Sequence, residues 1–251
     1  MAYKKTPNMI NLMIYINPSG KFDEEAAYLS KIQVDNSLEI GWKPENILLV
    51  TNFNWEYRGI KSLALEDTFS HKYPGMYALT KIPVVNKLFE NGTIIDDIYW
   101  FHDLDVFENE TIGEHLSHIG MERQHDLAIT DKGYSPKWSS GSFFFRKSAK
   151  DIFLSIEGIM ETRKKDGYGM VMDDEGALMA LMNEDPTVES RVIWMDRTYQ
   201  LIQYRGNLWE TAGRLRMPPV AVHFHPNPYF GNFKNVLSER LLKVFDKYGF
   251  K

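Results

Sequence analysis

The chain predicts an α/β fold with a mostly parallel central sheet flanked by helices, on three observations. Two apolar runs, Met9 to Ile16 and Ile47 to Val50, enclose one helical stretch. Strand, helix and strand at this spacing form a βαβ unit, whose strands are parallel. A third run, Ile98 to Phe101, has the continuous apolar character of a strand buried on both faces. The 251 residues are 43% apolar and 25% charged, which suits a globular domain with enough material for a core. No repeat, low-complexity stretch or Pro/Gly/Ser linker divides them, so a single domain over 1–251 is expected.

Each element follows from a local signal. The first strand stops at Asn17-Pro18-Ser19-Gly20, a strong turn sequence. A helix from about Asp23 to Ile40 follows, with Ala26, Leu29, Ile32 and Val34 among its apolar positions, and Gly41 suits its C-terminal cap. The strand Ile47 to Val50 runs into the polar loop Thr51-Asn52-Phe53-Asn54. Tyr77 to Phe89 reads as a helix despite Pro83, and leads to the strand at Ile98. Asp126 to Thr130 and Ser142 to Phe145 read as strands, and Ser148 to Arg163 as an amphipathic helix with Ile152, Phe153, Ile156, Ile159 and Met160 on one side. Asp174 to Met182 is a further helix, Val192 to Met195 and Val220 to Phe224 are further strands, and Leu237 to Phe245 is the last helix.

Composition excludes some classes of function. A net charge of −5 argues against a generally basic nucleic-acid coat, though not against a local basic groove. With no cysteine there are no disulfides, thiolate metal sites or cysteine nucleophiles, which fits a reducing cytoplasm. The apolar stretch at Met9 is too short to span a membrane and no cleavage pattern follows it, so a soluble, unprocessed cytoplasmic protein is expected, in the host cytoplasm if phage-encoded. The 15 Phe, 13 Tyr and 6 Trp exceed what a core needs, so some rings are expected to line a surface or cleft.

Four constellations carry chemistry. The strand Ile98 to Phe101 breaks off in Asp103-Leu104-Asp105, with Asp96 and Asp97 just before it. Carboxylates at the C-terminal end of a buried strand sit where open α/β sheets place their ligand crevice. Two such acids repel each other, and a divalent cation relieves that repulsion. Near the C-terminus, Val220-Ala221-Val222-His223-Phe224-His225-Pro226 places both imidazoles on one face of a strand, because side chains alternate. Carboxylates with a histidine make a mixed O/N site, which suits Mn²⁺ better than Mg²⁺. Trp138 to Arg146 is a small-residue turn feeding an aromatic strand; Gly141 permits close backbone approach, and Ser139 and Ser140 offer hydroxyls to sugar-like groups. In Met172-Asp173-Asp174-Glu175-Gly176 the acids either cap a helix or serve as binders of hydroxyls or a general base. Each motif alone also has a plain structural reading: an acidic turn, edge histidines, a β-turn, a capped helix.

Their order along the chain resembles that of the GT-A glycosyltransferases, over roughly Met9 to Pro226. The resemblance implies a Rossmann-like GT-A domain with a nucleotide-sugar half at about 1–107 and an acceptor and sugar half at about 108–251. It implies Asp103 and Asp105 as ligands of the metal that bridges a nucleotide-sugar diphosphate, with His223 or His225 completing the shell. It further implies Ile16, Asn17, Thr51 and Asn52 around the nucleotide, Ser140 and Gly141 facing the donor sugar, and Lys81 directed at the donor. Asp173, Asp174 and Glu175 are the candidates for the acidic catalytic role. The expected reaction moves a sugar from a nucleotide-diphosphate donor, a UDP-sugar by default, to an acceptor hydroxyl with Mn²⁺ or Mg²⁺.

The expected acceptor is a glycan or, second, a hydroxymethylated base in phage DNA. The DNA reading rests on two basic and aromatic stretches, one with Lys132, Tyr134, Lys137, Trp138, Arg146 and Lys147, the other running from Arg197 to Arg216. Three other classes fit less well. A phosphohydrolase with an Asp-x-Asp nucleophile usually carries it on the first strand, a nucleotidyltransferase needs a Gly-rich basic first loop, and a carbohydrate-binding protein leaves the acidic pair unexplained.

Overall fold

The computed structural model describes residues 9–73, 76–95, 98–112, 119, 121, 125–131, 138–165, 172–204, 207–208, 219–225 and 237–249. Its central sheet has seven strands: β1 (Met9–Tyr15), β2 (Ile47–Thr51), β5 (Leu63–Ala64), β6 (Ile98–His102), β8 (Leu127–Asp131), β9 (Trp138–Arg146) and β10 (Val192–Met195). The order across the sheet is β10-β8-β9-β6-β1-β2-β5. All neighbours are parallel except β9, which runs antiparallel to both β6 and β8. The Glu56–Tyr57 and Ile60–Lys61 strands (β3, β4) form a small hairpin.

A second sheet, which the strand-by-strand reading did not separate from the first, has the order β12-β11-β13-β7. It comprises β7 (Val106–Glu108), β11 (Leu201–Tyr204), β12 (Asn207–Leu208) and β13 (Ala221–His225). The predicted strand at Val220 to Phe224 therefore leaves the central sheet. It pairs antiparallel with β7, opposing His223 to Val106.

Six helices are described: α1 (Glu24–Ile40), α2 (Lys81–Glu90), α3 (Lys150–Lys165), α4 (Asp174–Glu184), α5 (Pro186–Glu189) and α6 (Glu239–Lys247). Asp23 caps α1 by accepting from the Ala26 N–H, and Gly41 closes it with φ 106°, a conformation open to glycine. Pro83 sits in the first turn of α2, where its missing N–H has no intrahelical partner to lose. The second half of α1 is buried nearly all round, polar residues included: Gln33, Asp35, Asn36 and Ser37 are all inside. Its inner face is thus wider than the apolar positions Ala26, Leu29, Ile32 and Val34 alone define.

Among the described residues, most aromatic side chains are core rather than cleft. On β6, Tyr99, Trp100 and Phe101 lie opposite Phe145, Phe144 and Phe143 of β9, and all six rings are buried. The facing pairs stack at centroid separations of 5.3, 6.2 and 4.7 Å. Trp138, assigned from sequence to a basic and aromatic surface, is fully buried against Phe143. Lys132, Tyr134 and Lys137, and Arg205, Trp209, Arg214 and Arg216 of the second stretch, lie outside the described residues, as do Asp96 and Asp97.

Candidate active site

Because β1, β2 and β6 are parallel, their C-terminal ends share one edge of the sheet, and the site forms there. Asp103 follows β6 directly. A tight turn from the Asp103 carbonyl to the Val106 N–H, 3.0 Å, aims Asp103 and Asp105 from one short loop. Gln33, inside α1, donates to the carbonyls of Leu104 and Val106 at 2.8 and 2.6 Å, which holds that loop from behind. His102 is buried, with Nε2 2.8 Å from Asn11 Oδ1 and Nδ1 2.9 Å from the Asp103 carbonyl. Burial pushes its pKa down to about 4.

Antiparallel pairing of β9 with β6 brings Ser140 and Gly141 beside Asp103, whose N–H donates to the Gly141 carbonyl at 2.8 Å. The Ser-Gly segment is not a turn before the strand, as its small residues predicted. It lies inside β9, next to a register irregularity against β8 at Ile129 and Thr130. Irregularities of this kind re-aim side chains next to active sites.

Lys81, the first residue of α2, reaches into this edge and is only 6% exposed. Its Nζ lies 3.2 Å from each Asp103 carboxylate oxygen, 3.2 Å from both the carbonyl and hydroxyl of Ser140, and 3.8 Å from Asp174. Burial opposes the charge on Lys81, but Asp103 and Asp174 outweigh it and hold its pKa above the ordinary lysine value. Lys81 is a cation throughout the neutral range.

The acidic helix start divides its work among three residues. Asp173 is exposed and caps α4, accepting from the Gly176 N–H at 2.7 Å. Asp174 is buried; burial raises its pKa to about 6, against the pull of Lys81 and with further push from Glu175. Glu175 accepts from the Ser140 N–H at 2.9 Å, so it ties α4 to the Ser-Gly segment.

His223 arrives from the second sheet. Its Nε2 lies 3.3 Å from Asp105, and its Nδ1 lies 3.0 Å from the side-chain amide nitrogen of Gln200. One ligand atom from each of Asp103, Asp105 and His223 lies within 4.8 Å of the others. His225 lies on the same strand, but its side chain is outside the described residues.

A cleft of ≈ 330 Å³ opens in front of these groups, lined among others by Tyr15, Ile16, Asn17, Lys81, Asp103 and Asp105. Asn52 joins the ends of β1 and β2 by accepting from the Asn17 N–H at 3.1 Å and donating to its carbonyl at 2.5 Å. Thr51 is buried behind it. Ile16 and Asn17 thus line the cleft directly, while Thr51 and Asn52 support its wall. Gln33 and Gln200 were not singled out from sequence, because neither lies in a local pattern; both act through partners far along the chain.

No family model matches this sequence, and no curated protein matches it. Solved structures do match its fold. LgtC, a galactosyltransferase solved in complex with donor and acceptor sugar analogs, superposes with TM-score 0.58 at 13% identity, over 96% of this chain and 95% of that one. The fold is that of the GT-A glycosyltransferases. A glycosyltransferase involved in glycosylation of the major capsid of PBCV-1 gives TM-score 0.57 at 13% identity, over 97% of this chain and 99% of that chain. Mouse xyloside xylosyltransferase 1 gives 0.54 at 11%, over 87% and 98%. On this fold the acidic loop, Lys81 and His223 meet at the carboxyl edge of the sheet. No helix among the described residues is long and apolar enough to cross a membrane.

Proposed function

We propose that this chain is a metal-dependent glycosyltransferase that moves a sugar from a nucleotide-diphosphate donor to an acceptor hydroxyl. The observation that carries the reading is the convergence of Asp103, Asp105 and His223, with both carboxylates lining the cleft. The donor set fits a divalent ion: two carboxylates and an imidazole, with Lys81 close enough to neutralise Asp103 in its place. Two oxygens and one nitrogen favour Mn²⁺ over Mg²⁺.

An ion there supplies Lewis acidity to the departing diphosphate, a contribution of several kcal/mol. Lys81 adds a fixed, buried positive charge at the same edge, worth more there than in water. Ile16 and Asn17 contact the nucleotide, with Thr51 and Asn52 fixing the strand ends. Ser140 and Gly141 face the donor sugar, and Asp174 and Glu175 accept from its hydroxyls. Asp173 serves the same group of acids by starting the helix that carries them. The nucleotide-sugar half at about 1–107 and the acceptor half at about 108–251 belong to this proposal, and His223 crosses that division.

A glycan hydroxyl is the acceptor we favour. Burial of Trp138 removes one ring from the surface on which a DNA base would stack. A UDP-sugar is the first donor to test, by thermal shift with Mn²⁺, because a ligand bound well above its Kd stabilises measurably. The combined Asp103→Asn and Asp105→Asn variant is expected to stay folded and lose Mn²⁺-dependent sugar transfer. Unchanged turnover in that folded variant overturns the proposal.

A further inference from the structure

Gln200 is 1% exposed and lies on no element that sequence patterning marks. Its amide nitrogen donates to Ser139 Oγ at 3.0 Å and lies 3.0 Å from His223 Nδ1. Among the described residues its amide oxygen, also buried, has no hydrogen-bond partner. A buried amide oxygen without a partner is costly, so its placement calls for a reason.

The chemistry of the imidazole supplies one. With an N–H of Gln200 facing Nδ1, the neutral ring carries its proton on Nε2, the nitrogen that lies 3.3 Å from Asp105. This tautomer cannot ligate a metal through Nε2. Ligation through Nε2 requires the proton on Nδ1, and the proton then needs an acceptor. Rotating the Gln200 amide by a half-turn puts its oxygen where the nitrogen was, so that it accepts from Nδ1–H and from the Ser139 hydroxyl, which can donate as well as accept. The two ends of the amide therefore match the two tautomers of the ring.

We propose that Gln200 is the positioning residue for His223, and that the orientation of its amide selects between a tautomer with its proton on Nε2, beside Asp105, and a metal-ligating one. The inference rests on the metal reading above. Gly141 maintains the arrangement: a Cβ there would lie 2.7 Å from Gln200 Nε2 and 2.7 Å from His223 Cε1. Amide and imidazole are thus both packed against the backbone of β9 at Gly141.

Mn²⁺ titration of the full chain, followed by water-proton relaxation and calorimetry, compares the unaltered protein with Gln200→Met and Gln200→Glu. Methionine keeps the volume and removes both hydrogen-bonding ends; glutamate keeps only the acceptor that Nδ1–H needs. Expected is a loss of affinity of about 10–100-fold in Gln200→Met and affinity within a few-fold of the unaltered protein in Gln200→Glu. A role confined to packing predicts equal affinity in the folded variants, and wild-type affinity in folded Gln200→Met overturns the inference alone. No Mn²⁺ binding by the unaltered protein overturns the metal reading and this inference together. Nitrogen-15 spectra of His223 provide a test that needs no variant. The proton should move from Nε2 to Nδ1 when Zn²⁺ is added, and an Nδ1–H ring before and after metal overturns the proposal.

Discussion

Gly141 and His223 share a space with no room for one more carbon: a Cβ at position 141 would stand 2.7 Å from the imidazole Cε1 and 3.0 Å from Nδ1. The consequence is specific. Gly141→Ala must push the ring or the facing Gln200 amide, both buried, and overpacking of this kind costs about 1–3 kcal/mol. Chemical denaturation should show that loss, and Mn²⁺ titration should show weaker binding. Equal Mn²⁺ affinity in Gly141→Ala would mean the ring's position does not matter to the ion.

Lys81 holds two carboxylates, Asp103 at 3.2 Å and Asp174 at 3.8 Å. Lys81→Met leaves both acids without that cation, and breaking the buried Lys81–Asp174 pair costs on the order of 3 kcal/mol. The pKa of Asp174, already about 6, should climb further once the lysine is gone. Sugar transfer should fall by about 10²-fold in kcat/KM, because a preorganised positive charge is removed from the leaving-group side. Steady-state kinetics on the folded variant read this directly.

Away from the cleft, Glu108 is 1% exposed, with Trp42 Nε1 donating to one carboxylate oxygen and the Ile112 N–H to the other. Burial outweighs both bonds and pushes its pKa up to about 7. The folded chain therefore binds this proton more tightly than the unfolded chain does. Stability from this group is highest below the unfolded value of 4.5 and is lost as pH rises through 7, a change on the order of 3 kcal/mol. Glu108→Gln should flatten that part of the pH–stability curve. An unchanged slope between pH 4.5 and 7 would remove Glu108 as its source.

Asp35 anchors the C-terminal helix. It is fully buried on α1 and accepts from Arg58 at 2.8 Å, from Tyr248 at 2.7 Å and from Lys247. Burial works against its charge, but Lys247, Arg58 and Tyr248 together hold its pKa below the usual carboxylate value. Its contribution is complete above the unfolded carboxylate pKa and is lost as pH falls through the lower folded value. Asp35→Asn should cost about 1–3 kcal/mol and increase hydrogen exchange in α6. Exchange in α2, which Asp35 does not touch, should change least.

Much of the architecture was legible because its causes are local. The βαβ start, the cap residues of α1 and the buried strand at Ile98 follow from hydrophobic spacing, Asp23, Gly41 and an aromatic run. Two of the three converging metal-ligand candidates, Asp103 and Asp105, needed nothing more, since they are two residues apart at one strand end. The Ser-Gly segment was misread as a turn because small residues favour turns, whereas pairing with β6 and β8 draws them into one long strand. Trp138 was misread as surface for a similar reason: basic neighbours in sequence say nothing about the face it packs on.

By itself the sequence determined the longer strands and helices and the acidic loop, because periodicity, capping and turn chemistry act between residues a few positions apart. The short strands, among them β7 and β11, carry too few residues for such a pattern. Tertiary structure alone decided that β13 leaves the main sheet to pair with β7, that His223 then meets Asp105, and that Gln200 and Gly141 close around the ring. Those contacts join residues from distant parts of the chain. They form only when the sheets assemble, so no local pattern records them.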